Sequence, residues 1–343
     1  GQKMKNPALA KILKIIAKEG KKGFYEGPIA KNIVKFLNEL GGYHSEEDFY
    51  NTKGVFVEPI SGFYRNKEIF QLPPNTQGVI SLFILKILNN FDISKYNFDN
   101  PERIHLIIEA AKIAYFYRNK LLGDLNSSEL ILQILNDKKF IQNLSNTISL
   151  NKTNANLPPI PSLGSNTIYL TVVDKDLNAV SFINSIYESF GSGLVPDDTG
   201  ILLQNRGKSF SLDINHPNCL EPSKRPMHTI IPGMVFNNSK LFMSYGVMGG
   251  DYQPMGHADV TSCILDHNMS FQAALDKPRY LPINNLVEIE EGISKDLQQA
   301  LKLKGHNLKK AIHPHGGGQI ISIDWEKGML SGASDPRKDG IAL

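Results

Sequence analysis

An α+β protein with its helices first is what this sequence predicts, on three observations. Apolar residues recur at helical spacing as far as about residue 150, a polar proline-rich stretch occupies 151–166, and strand-like alternation begins directly after it. Leu9, Ile12, Leu13, Ile15 and Ile16 predict a helix stopped by Gly20, where glycine suits a C-cap. Ile29, Ile33, Val34, Phe36 and Leu37 predict a second amphipathic helix closed by Gly41-Gly42. Positions 55–60 and 67–71 read as short strands flanking a turn at Ser61-Gly62. The loop from Pro73 to Gly78 opens an apolar helix. A long helix is predicted over 102–120, with Ile104, Ile107, Ile108, Ala111 and Tyr115 on one face, and another near 129–144.

The stretch 151–166 is polar, rich in proline and without periodicity, as a linker is. Strands follow at 167–174 and 179–184, joined by Lys175-Asp176-Leu177-Asn178, and a second hairpin turns at Asn237-Asn238 between Val235 and 241–245. Helices are predicted near 257–267 and 294–304, and a last strand over 319–324. No internal repeat is present.

Composition excludes several classes. Of 343 residues, 21% are charged and 41% hydrophobic, a globular balance; the net charge of +3 is spread thinly, which argues against nucleic acid as a partner. The basic N-terminus, Lys3 to Lys22, reads as a solvated helix face. No apolar window is long enough to span a membrane and no signal peptide is visible. Cys219 and Cys263 have neither metal-ligand nor disulfide spacing, which slightly favours the cytoplasm while leaving the compartment open. His313 and His315 precede Gly316-Gly317-Gly318, but no third ligand stands at matching spacing and no Lys-Ser/Thr follows to make a phosphate loop. No metal or other cofactor is expected.

A threonine that opens a strand just after a linker is by itself an ordinary strand residue. Its surroundings change that. The run Thr167 to Asp176 is followed by Phe190-Gly191-Ser192-Gly193, Gly200-Ile201-Leu202-Leu203-Gln204-Asn205, Lys224-Arg225-Pro226, Met248-Gly249-Gly250 and Gly332-Ala333-Ser334-Asp335-Pro336-Arg337. Upstream stand Phe24-Tyr25-Glu26-Gly27, Pro73-Pro74 with Gln77-Gly78, and Glu109-Ala110-Ala111-Lys112 with Gly123-Asp124. In this order, over nearly the whole length, the motifs resemble those of the γ-glutamyltranspeptidase family. The run from Leu203 to Gly207, Phe210-Ser211-Leu212, His216-Pro217-Asn218 and His228-Thr229 resemble its cephalosporin-acylase-like branch.

The resemblance implies the four-layer αββα sandwich of N-terminal-nucleophile hydrolases. It implies a large-subunit region at 1–166 and a small catalytic region at 167–343, together one domain, made as two chains from one precursor by cleavage between Asn166 and Thr167. Thr167 would be the nucleophile, with its freed α-amine as base, since that amine has a pKa of about 7.7–8.0. Gly249 and Gly250 would supply oxyanion-hole N–H groups, where glycine lets backbone approach substrate closely. Ser185 stands where the family has a second threonine that hydrogen-bonds the nucleophile. Too few strands precede residue 151 to complete two stacked sheets, so a further N-terminal segment is expected.

The glutamyl-reading positions depart from the family. Tyr187 replaces an Asn, Arg206 a Gln or Glu, Ser209 an Asp that pairs with the substrate ammonium, and His228-Thr229 a Ser-Ser pair. Arg206 favours a carboxylate, which its planar fork binds bidentately, unless it serves a structural salt bridge. The chain from Ser211 to Lys224 is short where relatives carry an aromatic lid, which favours hydrolysis over transfer. The expected activity is cleavage of γ-glutamyl-type amides such as glutathione, with water or an amino acid as acceptor. A glutaryl-type acylase of the same mechanism and a weak or inactive binding relative are the alternatives.

Overall fold

The computed structural model describes residues 1–155, 157 and 166–343, Asn166 by its backbone alone. The expected flexible linker falls largely on residues outside that set. The chain divides into two compact units. One comprises Gly1–Val57 with Glu188–Asn205, the other Glu58–Tyr187 with Arg206–Leu343.

The first unit is helical. In α1 (Pro7–Glu19), the Asn6 side chain accepts the Leu9 N–H, Pro7 opens the first turn, and Gly20 at φ 62° ends it. After α2 (Lys21–Tyr25) come α3 (Pro28–Glu39), again opened by proline, and α4 (Glu46–Asn51), started by a Ser45–Asp48 capping box. Ile12, Ile29 and Ile33 bury a small core against Ile201 and Leu203. The Asn6 and Asn32 amides tie the 188–205 segment through the carbonyls of Gly200 and Asp197.

The second unit stacks helices, a sheet and a hairpin. Its strands are β1 (Ile60–Tyr64), β2 (Lys67–Gln71), β3 (Asn166–Val173), β4 (Ala179–Tyr187), β5 (Gly233–Asn237), β6 (Lys240–Met248), β7 (Tyr280–Ile283), β8 (Leu286–Ile289), β9 (Leu308–Lys310), β10 (Gly317–Asp324) and β11 (Met329–Ser334). Its helices are α5 (Gly78–Leu88), α6 (Pro101–Leu121), α7 (Glu129–Asn136), α8 (Lys138–Asn146), α9 (Tyr252–His267), α10 (Phe271–Asp276) and α11 (Lys295–Leu303). An antiparallel six-stranded sheet runs β1-β2-β5-β6-β10-β11, so strands from both sides of residue 151 share it. β7, β8 and β9 form a small separate sheet.

Alternation along β6 assigns its two faces. Tyr245 packs on His257, and Val247 lies against Gly256, both of α9; α5 covers β1 and β2 on the same side. Ser244, Gly246 and Met248 face the β3–β4 hairpin. Thr171 Oγ1 donates to Ser244 Oγ at 2.7 Å. The Tyr169 ring sits on Gly246, where a Cβ would meet it at 2.4 Å, and Met248 packs with Tyr169 and Ile183. Each step back along β3 therefore answers a step forward along β6, which carries Thr167 to the end of β6. Ile168, Leu170, Val172, Val180 and Phe182 point the other way and are exposed. The described residues thus supply helices, sheet and second sheet, three layers of the αββα order.

Several boundaries differ from the sequence reading. The first hairpin turns at Arg65-Asn66, both at positive φ, and Ser61-Gly62 lies inside β1, where Gly62 lets Lys86 and Leu82 of α5 approach. The helix expected over 129–144 is two, because Asp137 leaves helical geometry and caps α8 through the Phe140 N–H. The second hairpin turns one residue later than expected, at Asn238-Ser239. β10 is not the last strand, since β11 follows it at the sheet edge. Both cysteines are buried free thiols, and no helix among the described residues is long and apolar enough to cross a membrane.

Candidate active site

Thr167 stands opposite a bulge. Asn166 pairs with Tyr187 and Ile168 with Asn184, so Ser185 and Ile186 together oppose one residue. Such an insertion bends its strand and re-aims side chains. Here the Thr167 Oγ1–H donates to Ser185 Oγ at 3.3 Å, and the same oxygen accepts the Tyr187 N–H at 2.9 Å. Tyr187 closes the bulge at φ 79°, a left-handed conformation rare for a non-glycine residue. The local strain and the hydroxyl pair coincide at the candidate nucleophile.

Tyr187 also carries a cation. The Arg206 guanidinium lies 4.5 Å over its ring and donates from Nη1 to Thr229 Oγ1 at 2.8 Å. Arg206 is 5% exposed, and burial draws its pKa down to about 10. His228 is held through its backbone, donating to Asn75 O and accepting from Gln77 N. Its imidazole is kept neutral, with the pKa pulled to about 3 first by burial and then by the Arg206 charge. Ser209 is turned onto the backbone, donating to the carbonyls of Arg206 and Met227 at 2.9 Å each. Arg206, Tyr187, Thr229 and His228 are thus brought together, while Ser209 braces the turn that carries Arg206.

Gly249 and Gly250 follow β6 at φ 122° and 57°. A side chain at Gly249 would meet the Gly316 Cα at 2.6 Å, so glycine is required sterically as well as conformationally. The Gly249 carbonyl accepts from Tyr252 N at 3.0 Å, at the start of α9. In a planar trans peptide the Gly250 N–H then points the opposite way, out of the helix. Among the described residues neither glycine N–H donates to a protein carbonyl.

A buried bracket that sequence reasoning missed holds this turn. Gln77 Nε2 donates to Thr229 O at 2.8 Å and to Gly250 O at 2.9 Å. Arg118 Nη1 donates to Gln77 Oε1 and to the Asp251 carboxylate, and Tyr115 O–H donates to Asp251 O. Gln77 was visible only as a motif residue; the two carbonyls it donates to lie more than 150 positions away. The motif ending in Asp335 and Arg337 is likewise a brace: Asp335 pairs with Arg279 and Arg337 with Glu290.

His315 stacks on Tyr252 rather than joining a ligand set. Among the described residues, His105, Glu109 and His306 bring possible metal-ligand atoms within 4.8 Å of one another. Their donors are committed otherwise. His105 and His306 share a 2.7 Å hydrogen bond, and Glu109 accepts from Lys112, Thr153 and Asn154. An ammonium already neutralises the one carboxylate, which does not fit a cation site.

A family model described as Gamma-glutamyltranspeptidase matches residues 1–343. The chain belongs to the γ-glutamyltranspeptidase family. Within that family, the glutathione hydrolase-like YwrD proenzyme of Bacillus subtilis is 38% identical, over 100% of this chain and 66% of its own length. The glutathione hydrolase proenzyme of Escherichia coli is 33% identical, over 96% of this chain and 60% of its own. A solved structure, cephalosporin acylase from Bacillus halodurans, superposes with a TM-score of 0.91 at 37% identity, over 98% of this chain and 62% of that one. The transpeptidase-family chain described here therefore spans less than two thirds of the length of these relatives. Its fold is that of the N-terminal-nucleophile hydrolases.

Proposed function

We propose that this chain carries the catalytic part of a self-processing amidohydrolase that cleaves γ-glutamyl-type amides through an ester on Thr167. The observation that carries this reading is the Thr167–Ser185 hydroxyl pair, set on a bulge beside the Gly249-Gly250 turn. The names of the relatives, glutathione hydrolase proenzymes and a cephalosporin acylase, support it.

In the precursor, Thr167 Oγ1 attacks the Asn166 carbonyl carbon. The C–N bond breaks as the nitrogen takes up the proton, leaving an ester that water hydrolyses to a carboxylate on Asn166 and a free α-amine on Thr167. In turnover the same oxygen attacks the substrate amide. The α-amine accepts the hydroxyl proton and passes it to the leaving amine, and water or an amino-acid acceptor then takes the acyl group. The Gly249 and Gly250 N–H groups meet the developing oxyanion. The product is a large and a small chain from one precursor.

A glutaryl-type acylase is the second reading, favoured by the buried Arg206 over Tyr187. A cation beside the bulge suits an acyl group that ends in a carboxylate, and Ser209 offers no charge to an ammonium.

Intact mass of the purified full-length protein tests the first step: two chains divided between Asn166 and Thr167 are expected, and an uncut Thr167→Ala variant. A wild type that stays in one piece overturns the reading. Release of p-nitroaniline from γ-glutamyl and glutaryl p-nitroanilides then separates the two substrate classes.

A further inference from the structure

The geometry points to Gly316, with the grip that Arg279 and Glu290 place on His315, as what aims the Gly249 N–H of the oxyanion hole. This inference rests on the reading proposed above and deepens it.

Gly316 lies directly against the first peptide of the turn. A Cβ on Gly316 would stand 2.3 Å from the Met248 carbonyl oxygen, and one on Gly249 would stand 2.6 Å from the Gly316 Cα. The Met248 carbonyl therefore faces Gly316, on the β10 side of β6, beside the Gly317↔Met248 pair. In a planar trans peptide the N–H of the next residue points the opposite way. The Gly249 N–H is thereby turned toward the β5 side. There the register Gly233↔Tyr245, carried on, sets Thr229 opposite Gly249. The Gln77 amide, which joins the Thr229 and Gly250 carbonyls, agrees with that placement. Thr229 is the residue that accepts from Arg206. One N–H of the hole thus looks toward Thr229 and Arg206 because the carbonyl behind it looks at a glycine.

Gly316 is itself held in place. The His315 N–H donates to Glu290 Oε1 at 2.6 Å, and the His315 carbonyl accepts from Arg279 Nη1 at 2.6 Å. Glu290 also accepts the Arg279 N–H at 3.0 Å and is met by Arg337, whose Nε lies 3.0 Å from each carboxylate oxygen. Asp335 pairs with Arg279 and accepts the Gly318 N–H at 2.9 Å. The His315 ring stacks on Tyr252, whose N–H holds the Gly249 carbonyl.

Holding the sheet together does not require this grip. β10 already pairs with β6 from Gly317↔Met248 to Ser322↔Met243. Those pairs fix the register but not the entry to the strand, where Gly316 turns at φ 67°. Charged side chains are taken out of water there, Arg279 and Asp335 each being 1% exposed, which is costly unless the charges are paired and their hydrogen bonds met. Burial opposes the charge on Glu290, but Arg337 and the His315 and Arg279 N–H groups outweigh it and hold the carboxyl below its usual range. What the network fixes is the place of Gly316, and an oxyanion donor is effective when it is aimed before the charge develops.

The test measures kcat and KM for Gly316→Ala, Gly328→Ala and Glu290→Gln in the full-length protein, on whichever p-nitroanilide the wild type cleaves faster. Gly328 is the control. It turns at φ 62° between β10 and β11 with open space around it, so alanine there brings similar backbone strain and no contact. Gly316→Ala should lower kcat at least tenfold with KM within twofold, against the ~10²–10³-fold loss for removing a whole oxyanion donor. Gly328→Ala should keep kcat within twofold. Glu290→Gln, which keeps an oxygen for the His315 N–H but not the charge for Arg337, should lower kcat several-fold at constant KM. Equal kcat in the two glycine variants, or a loss confined to KM, overturns the positioning role. A wild type that releases neither p-nitroanilide overturns the reading beneath it. Should Gly316→Ala fail to fold, Glu290→Gln decides, and a wild-type kcat there overturns the proposal.

Discussion

The Arg206 guanidinium lies 4.5 Å over the Tyr187 ring, and the Tyr187 N–H reaches the hydroxyl that accepts from Thr167. A buried positive charge is thereby stacked on the residue whose N–H shares the Ser185 hydroxyl with Thr167. Replacing it by Arg206→Met should lower kcat/KM for a glutaryl amide by ~10–100-fold, the range for losing a hydrogen bond to a charged group. The effect on the γ-glutamyl amide should be smaller, and the cut at Asn166–Thr167 should persist. Equal losses on both substrates would show that Arg206 serves the fold rather than acyl recognition.

Ser185 holds both the Thr167 hydroxyl and the Tyr187 amide. Ser185→Ala leaves both donors without that acceptor, a cost of about 1–3 kcal/mol. Self-cleavage and turnover should both slow by roughly 5–150-fold. Ser185→Thr keeps the oxygen and should restore most of both rates, as read from precursor decay and p-nitroaniline release.

Gln77 joins Thr229 to Gly250. Gln77→Leu removes two buried hydrogen bonds and takes an acceptor from Arg118. Unfolding in urea should show a loss of roughly 2–4 kcal/mol, since buried groups are left unmet. A variant that keeps full stability but loses activity would assign Gln77 to substrate rather than to the turn.

Acid should weaken the second unit through its buried histidines. His257 Nε2 accepts the Val247 N–H at 3.0 Å, its Nδ1 lies 3.2 Å from the Gln71 amide nitrogen, and burial pulls its pKa to about 3. His306 falls to about 4, through burial and then His105, with Glu109 opposing and Lys112 and Lys304 assisting. Both are bases depressed below the unfolded value of about 6.5. Their stabilisation is complete above pH 6.5 and is lost as pH falls toward the folded values, because the unfolded chain binds protons first. Each contributes a slope of up to ~1.4 kcal/mol per pH unit. Urea midpoints should drop from pH 7 to pH 5, and His257→Gln, whose oxygen can still accept the Val247 N–H, should flatten that drop.

Local signals were legible in the sequence. Apolar spacing and the glycines after it marked α1 and α3, and the strand pattern after 166 gave β3 to within a residue but stopped β4 at 184, three residues short of its end at Tyr187. The first hairpin was misplaced because Ser61-Gly62 looks like a turn, whereas Arg65-Asn66 turns there at positive φ. The hydroxyls of Thr167 and Ser185 could be matched by motif. The bulge that brings them together could not, since it depends on register between two strands. Gln77, Arg118 and Asp251 stayed hidden for a related reason: polar residues far apart in the chain carry no periodic signal. The grip on the His315 peptide likewise needs Arg279 and Glu290 to meet a loop that follows them by 25 positions or more.

The Tyr169 ring resting on Gly246 works like a pin in a notched rail. A β3 displaced along β6 by one side-chain repeat would set that ring on Ser244 or Met248, and neither leaves the hollow that a missing Cβ provides. The distance of Thr167 from the Gly249-Gly250 turn is therefore set in discrete steps, of which one is sterically open. Enlarging Gly246 should mis-seat the whole hairpin rather than nudge it, so this glycine, buried beneath the Tyr169 ring, belongs among the least tolerant positions of the chain.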